Sequence, residues 1–236
     1  MKIAVVIPAY NESKHIKALL EQMPQFINGH ELCAIVVDDG SKDDTSRHAK
    51  SVKGVTVLRH VTNLGKGAAA KTGCDAACKM KADVIVLMDG DGQHRVNDIP
   101  KMVAPVLESR SALVIGSRPR CKAMPMTMRF ANWSLSFLSQ MLFNIHVRDT
   151  QSGFRAFPAE IYPQIRWRSS DYGMETEMLI LSTYRRIPCH EVEIDTIYLD
   201  NFKGTTVVDG LRILRTLLKW RLLWSREFKS LESFLV

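Results

Sequence analysis

Val84-Ile85-Val86-Leu87-Met88-Asp89-Gly90-Asp91-Gly92-Gln93-His94 decides the fold. Five apolar residues in a row, mostly β-branched, predict a strand covered on both faces. The strand runs into two aspartates one residue apart. Alternate residues of an extended chain face the same way, so Asp89 and Asp91 can address one site. The glycines between and after them allow a tight turn and the close approach of a ligand. Two converging carboxylates repel each other unless a cation relieves them. A hard divalent ion, Mg²⁺ or Mn²⁺, suits oxygen ligands of this kind and often shares them with substrate phosphates. Gln93 and His94 follow within reach as further ligands or orienting groups. A polar turn closing a buried strand would account for the same residues, because D-x-D alone is a common spacing.

Upstream, the same grammar repeats. Ile3 to Ile7 reads as a short strand closed by Pro8-Ala9-Tyr10-Asn11-Glu12-Ser13, with Ser13 or Asn11 available to cap a helix from about Lys14. Ile16, Leu19, Leu20 and Met23 keep helical spacing. Leu32 to Val37 is a second strand, ending Asp38-Asp39-Gly40-Ser41, with Ser41, Asp43 or Asp44 to cap the next helix. Val55 to Leu58 is a third. Asn63-Leu64-Gly65-Lys66-Gly67 leads into a helix of small residues that can lie close on a sheet, and its glycine-lysine start can meet phosphate at a helix N-terminus. Alternating strands and helices predict an α/β fold: a mostly parallel sheet covered by helices on both faces. Ligands of such sheets sit at the carboxyl ends of the strands. Pro8–Glu12, Asp38–Ser41 and Asp89–Gln93 all fall at such ends.

The totals restrict the partners. A chain of 236 residues suits one sizeable domain, or one with an appendage. A net charge of +7 favours an anionic partner such as a nucleotide, a phosphate or an acidic membrane surface. The five cysteines form no C-x-x-C pair and no zinc pattern, which fits thiols in a reducing compartment. There is no signal-peptide pattern, and no apolar run reaches the ~18–20 residues of a membrane span. The expected place is therefore the cytoplasm, at most resting on the membrane surface.

Downstream, Asn97 to Glu108 reads as a helix despite Pro100 and Pro105, and Ala112 to Ile115 as a strand ending Gly116-Ser117-Arg118. Arg118 thus joins the same rim, where its planar fork suits a diphosphate; a surface arginine closing a strand is the plainer reading. Met124 to Val147 is rich in Met, Phe, Leu and Trp, with Arg129 near its start. It reads as core, or as an apolar lip for a lipid acceptor. Asp149 to Arg155 reads as a polar turn. Tyr172 to Leu179 enters a helix with Glu175 and Glu177 near its start, where the helix dipole favours acids. Ile187 to Tyr198 is extended. The expected boundary lies at 206/207, followed by a basic amphipathic helix from Val207. Its apolar face is Val207, Leu211, Leu214, Leu218 and Leu222, with Trp220 and Trp224 between its basic residues. Such a helix can anchor to a membrane surface or pack on the domain.

Six motifs in order carry a resemblance: Ile7-Pro8-Ala9-Tyr10-Asn11-Glu12, Val37-Asp38-Asp39-Gly40-Ser41, Asn63-Leu64-Gly65-Lys66-Gly67, Asp89-Gly90-Asp91-Gly92-Gln93-His94, Gly116-Ser117-Arg118 and Asp149-Thr150-Gln151-Ser152-Gly153-Phe154. Across nearly its whole length the chain resembles an inverting GT-A glycosyltransferase of family 2, close to the dolichyl- and polyprenyl-phosphate sugar synthases. The resemblance implies that Pro8, Tyr10 and Glu12 line a nucleotide pocket and that Asp39 accepts a hydrogen bond from the base. It implies that Asp89, Asp91 and Gln93 hold Mg²⁺ or Mn²⁺ on the diphosphate of a GDP- or UDP-sugar. Arg118 and Arg129 are expected near donor or acceptor phosphates. Lys203 stands where the lipid-phosphate enzymes carry a basic residue for the acceptor, but Phe202-Lys203-Gly204-Thr205-Thr206 replaces the Arg-rich, serine-containing form of a dolichyl-phosphate mannose synthase. The expected partners are a nucleotide sugar, a polyprenyl phosphate and a membrane surface, with no nucleic acid.

The chemistry follows from charge. An anionic phosphate acceptor needs cationic groups to hold it in line, and no strong base. A hydroxyl acceptor, on a glycan or glycolipid, would need a carboxylate base such as Asp149 or Glu177. A non-catalytic nucleotide-binding module is disfavoured by the intact Asp89/Asp91 pair. A nucleotidyltransferase is disfavoured by Pro8–Ser13, which is not a glycine-rich phosphate loop.

Overall fold

The computed structural model describes residues 1–108, 112–118, 137–171, 173–195, 215 and 217–222. Its strands are β1 (Lys2–Ala9), β2 (Phe26–Ile27), β3 (His30–Asp38), β4 (Val55–Arg59), β5 (Val84–Leu87), β6 (Leu113–Ser117), β7 (Arg155–Pro158) and β8 (Cys189–Glu193). β4, β3, β1 and β5 lie side by side and parallel. β7 runs antiparallel between β5 and β6, and β8 pairs parallel with β6. β2 forms a hairpin with the start of β3.

The register places the site. Ala9 pairs with Asp38, Asp38 with Arg59, and Val6 with Leu87. The carboxyl ends of β1, β3, β4 and β5 therefore share one rim. The chain works outward from β1 to β4, then returns to the other side of β1 for β5. A strand order that reverses in this way opens a crevice at the rim.

Alternation along β5 fills two cores. Val84 and Val86 face one side with Ile3, Val5 and Ile7 of β1. Against them pack α1 (Ile16–Glu21), α2 (Thr45–Lys50) and α4 (Ile99–Glu108). Ile85 and Leu87 face the other side with Ala4 and Val6. There α3 (Lys66–Lys79), α5 (137–143), α6 (Tyr162–Ile165) and α7 (Met174–Tyr184) cover the sheet. Each buried Val, Ile or Leu contributes about 1.5–3 kcal/mol relative to exposure, so the double coating stabilises the sheet that carries the rim.

Several expectations shift in detail. α1 starts at Ile16, not near Lys14, with no side-chain cap. Ser13 and Asn11 are engaged by the next loop instead. Pro100 is harmless in the first turn of α4, whereas Pro105 lies inside the helix and forfeits one backbone hydrogen bond. Asp149–Arg155 is a turn only as far as Phe154, because Arg155 opens β7.

The expected boundary at 206/207 and residues Val207, Leu211, Leu214 and Trp224 lie outside the described residues, as does Cys121. Residues 217–222 are helical and packed on the domain. Leu217 and Trp220 are buried in the α7 core, and Trp220 Nε1 donates to Glu177 Oε1 at 3.0 Å. Leu218 and Leu222 are exposed on the outer face with Lys219 and Arg221. The two described members of the leucine stripe read from spacing are thus on the exposed side. Among the described residues no helix is long and apolar enough to cross a membrane.

Candidate active site

The first two strand-to-helix loops are laced together. Asn11 N donates to Ser41 Oγ at 2.9 Å, and Lys42 N donates to Asn11 Oδ1 at 2.9 Å. Glu12 N donates to Thr45 Oγ1 at 2.8 Å, and Ser13 N to Asp43 Oδ2 at 3.1 Å. His48 Nδ1 donates to the Ser13 carbonyl at 2.7 Å. Asn11 sits at φ 56°, a left-handed value that Asn tolerates better than most residues. Pro8 is half-buried, Tyr10 is exposed, and Glu12 is buried along this seam.

Asp39 organises the third loop. Its Oδ1 accepts from His60 Nδ1 at 2.7 Å and Leu64 N at 2.9 Å, and its Oδ2 accepts from Gly65 N at 2.8 Å. His60 Nε2 in turn lies 3.0 Å from Thr72 Oγ1. The carboxylate expected to meet a base is therefore employed in shaping the 60–65 segment. Gly65, at φ 98°, turns that segment into α3, and a side chain there would collide with the Ser170 carbonyl.

That turn aims Lys66 inward. Lys66 Nζ lies 2.7 Å from Asp89 Oδ1 and 2.9 Å from Glu175 Oε1. The expected phosphate ligand is thus seated between two acids. The Ala68 N–H of the α3 N-terminus meets the Ser170 carbonyl at 3.1 Å. Burial lowers the lysine's proton affinity, but Asp89 and Glu175 outweigh it and hold Lys66 charged well above its usual range. For Asp89, burial pushes the pKa up, yet Lys66 and then His94 bring it far below the carboxylate range. Asp91 goes the other way: burial first, then the Asp89 charge, raise it.

Asp91 Oδ1 accepts from Gln93 N at 3.0 Å, and Gln93 is buried. His94 stacks at a tilt on Phe154, with ring centroids 5.0 Å apart. Its Nε2 is 3.6 Å from Asp89 Oδ2, and its buried Nδ1 has no hydrogen bond among the described residues. Among the described residues no three His, Cys, Asp or Glu side chains are grouped so as to hold an ion by themselves. The donor set still fits a hard divalent cation. Asp89, Asp91 and Glu175 are three carboxylates against the two cations Lys66 and Arg155, a formal excess of one negative charge.

A cationic counterpart sits at the end of β6. Arg118 forks onto Asp149, Nε to Oδ2 at 2.6 Å and Nη2 to Oδ1 at 3.0 Å. The Asp149–Gly153 loop is pinned by Arg155, which is fully buried in β7. Arg155 donates to three carbonyls: Ser152 at 3.0 Å, Glu175 at 2.7 Å and Thr150 at 2.9 Å. Burial lowers its pKa, offset in part by Glu175. Gly153 closes over the acid–lysine pair: a Cβ there would lie 2.5 Å from Asp89 Oδ2 and 2.7 Å from Lys66 Nζ.

Glu177, a candidate base, is committed elsewhere. Its oxygens accept from Arg168 N at 2.6 Å, Ser169 N at 3.0 Å, Ser169 Oγ at 2.7 Å and Trp220 Nε1 at 3.0 Å. The structure brings Asp89, Asp91, Gln93 and Lys66 together, with Arg118 on the neighbouring β6–β7 side. Arg129 and Lys203 lie outside the described residues. Sequence reasoning missed Glu175 as a partner of Lys66, and Arg155 altogether. An acid facing inward in the first turn of a helix was the available signal for the first; the second had none.

A parallel sheet reversing at β1, an antiparallel strand inserted beside β5, and an aspartate pair at the β5 rim define a GT-A-type nucleotide-sugar fold. The chain belongs to glycosyl transferase family 2, whose pattern matches residues 4–166, and it is a glycosyltransferase. It is 34% identical to the UDP-N-acetylglucosamine–dolichyl-phosphate N-acetylglucosaminyltransferase of Methanococcus voltae, over 92% of this chain and 94% of that one. It is 28% identical to the undecaprenyl-phosphate mannosyltransferase of Micrococcus luteus, over 89% and 88%. In fold it is similar to the glucosyl-3-phosphoglycerate synthase of Mycobacterium tuberculosis crystallised with Mn²⁺, UDP-glucose and phosphoglyceric acid. There the TM-score is 0.74 and the identity 23%, over 93% of this chain and 79% of that one.

Proposed function

We propose that the protein transfers a sugar from a nucleotide sugar to a polyprenyl phosphate, with inversion, using a divalent cation at Asp89 and Asp91. The observation that carries this reading is the state of the carboxylates near the site. Asp149 is forked by Arg118, and Glu177 is saturated by four donors. Neither is placed to take a proton, and an acceptor that is already a phosphate anion needs no base. A hydroxyl acceptor is the less supported reading for the same reason. The relatives named for dolichyl and undecaprenyl phosphate support the lipid acceptor.

In this reading Pro8, Tyr10 and Glu12 border the nucleoside pocket, with Asp39 setting the 60–65 wall. Asp89, Asp91 and Gln93 would hold Mg²⁺ or Mn²⁺, and donor phosphate oxygens would complete its shell. When bound, such a cation offsets the charge that develops on the departing nucleoside diphosphate. Lys66 adds positive charge beside it. Arg118, and Arg129 and Lys203 from outside the described residues, are the groups to orient the anionic acceptor in line with the anomeric carbon. The exposed Leu218 and Leu222, with Arg215, Lys219 and Arg221 on the same short helix, suit contact with an anionic membrane surface. Action at the cytoplasmic face fits the free thiols Cys33, Cys74, Cys78 and Cys189.

The test is a donor screen with radiolabelled GDP- and UDP-sugars, Mn²⁺ or Mg²⁺, and polyprenyl phosphate. Label is expected in the organic phase for one donor. Label that stays aqueous with every donor, while nucleotide is released onto a hydroxyl acceptor, would favour the second reading.

A further inference from the structure

We propose that Lys66 is a built-in counter-cation of the aspartate site, and that Glu175 is the residue that holds it in reserve. In the cation-free site Lys66 shares itself between Asp89 and Glu175. When a divalent cation settles on Asp89, Glu175 retains the displaced ammonium. The inference rests on the metal reading above but goes past it, because it assigns a role to a residue that touches neither cation nor donor.

Three observations carry it. First, the lysine's position is imposed by the backbone. Gly65 turns into α3 with its N–H on Asp39, and Gly153 crosses over the pair so closely that a Cβ would overlap Asp89 and Lys66. Second, Glu175 is 2% exposed, and its Oε2 has no hydrogen-bond partner among the described residues. A buried carboxylate is costly without compensation. The cation that pairs with it is Lys66 Nζ at 2.9 Å; the Arg155 guanidinium, bonded to three carbonyls, adds positive charge without pairing with the carboxylate. Third, one carboxylate would suffice to neutralise Lys66. The site supplies two, one after β5 and one on α7, at 2.7 and 2.9 Å from the ammonium. An ammonium 2.7 Å from a metal-binding oxygen opposes a cation there unless a second anion stands ready to receive it.

The two ends of the pair therefore have opposite effects on cation affinity. The test is titration of Mn²⁺ into donor-free protein, read from the loss of the free-ion electron paramagnetic resonance signal, and repeated with UDP or GDP. Lys66→Met is expected to bind Mn²⁺ at least tenfold tighter than wild type. Glu175→Gln is expected to bind it at least threefold more weakly, because Lys66 then has only Asp89. Lys66→Arg, which keeps the charge, is expected to stay near wild type. Binding by wild type with no tightening in Lys66→Met overturns the inference and leaves the metal reading standing. No binding in any variant, with or without nucleoside diphosphate, overturns both. Should Lys66→Met fail to fold, the weakening in Glu175→Gln decides: affinity equal to or tighter than wild type overturns the proposal.

Discussion

The guanidinium of Arg118 and the carboxylate of Asp149 meet as a two-pronged fork, 2.6 and 3.0 Å, across the gap between β6 and β7. A bidentate pair of this kind is pre-shaped for exchange with another planar or tetrahedral oxyanion. In the proposed function Asp149 would hold the place of an acceptor or donor phosphate rather than take a proton. Arg118→Ala is predicted to lower kcat/KM for transfer roughly a hundredfold. Asp149→Asn is predicted to stay within about tenfold of wild type, since it removes no proton-transfer step. Steady-state kinetics of the two variants check this, and an equally severe loss in Asp149→Asn would reinstate it as a base.

Glu177 belongs to stability. Four donors from two segments, 168–169 and the helix at 217–222, converge on it, including the indole of Trp220. Glu177→Leu is predicted to cost about 2–4 kcal/mol, as buried donors lose their acceptor. Denaturant unfolding should show a lower midpoint, with 217–222 released from α7. Retained transfer activity per folded molecule is the expected companion result.

Gly153→Ala is predicted to reverse that pattern. Its backbone is not in the left-handed region, so the fold tolerates a methyl group. The added Cβ would nonetheless sit 2.5 Å from Asp89 Oδ2. Displacing that oxygen by about an ångström is worth roughly a hundredfold in rate. Thermal melting should move little while turnover falls.

Acid should loosen the seam between the first two loops. Slight burial pushes Asp43 up, but hydrogen bonds from Thr45 and then Ser13 outweigh it and hold it at about 2, below its ordinary 3.8. The folded value lies below the unfolded one, so the seam's contribution is complete above about pH 4 and is lost as pH falls towards 2. Asp43→Asn is predicted to destabilise the protein at pH 6 and to make little difference near pH 2. Urea midpoints at the two pH values test the sign.

How much of this was readable beforehand depends on where each residue's partner lies. β1, β3 and β5 were legible because a strand buried on both faces must be a continuous apolar run, and their polar ends marked the rim. β7 was not. It has four residues, opens with a buried Arg155 and closes with Pro158, so locally it reads as a turn. Only the carbonyls of Thr150, Ser152 and Glu175, brought in by the fold, make a buried arginine tolerable there. Asn11 and Ser13 look like helix caps by the same local logic, yet their partners are on the next loop. Lys66 and Glu175 were each assigned a helix-terminus role, phosphate binding and dipole pairing. Nothing within either segment reveals that the two lie 2.9 Å apart.

The aspartate pair bears the whole account, and one assay addresses it most directly. Chelator-stripped protein is given labelled nucleotide sugar and polyprenyl phosphate, and Mn²⁺ is added back stepwise while lipid-extractable label is counted. Label should enter the organic phase only as Mn²⁺ is restored, and Asp91→Ala should stay silent at every concentration. Equal transfer in excess chelator, or an active Asp91→Ala, would contradict it.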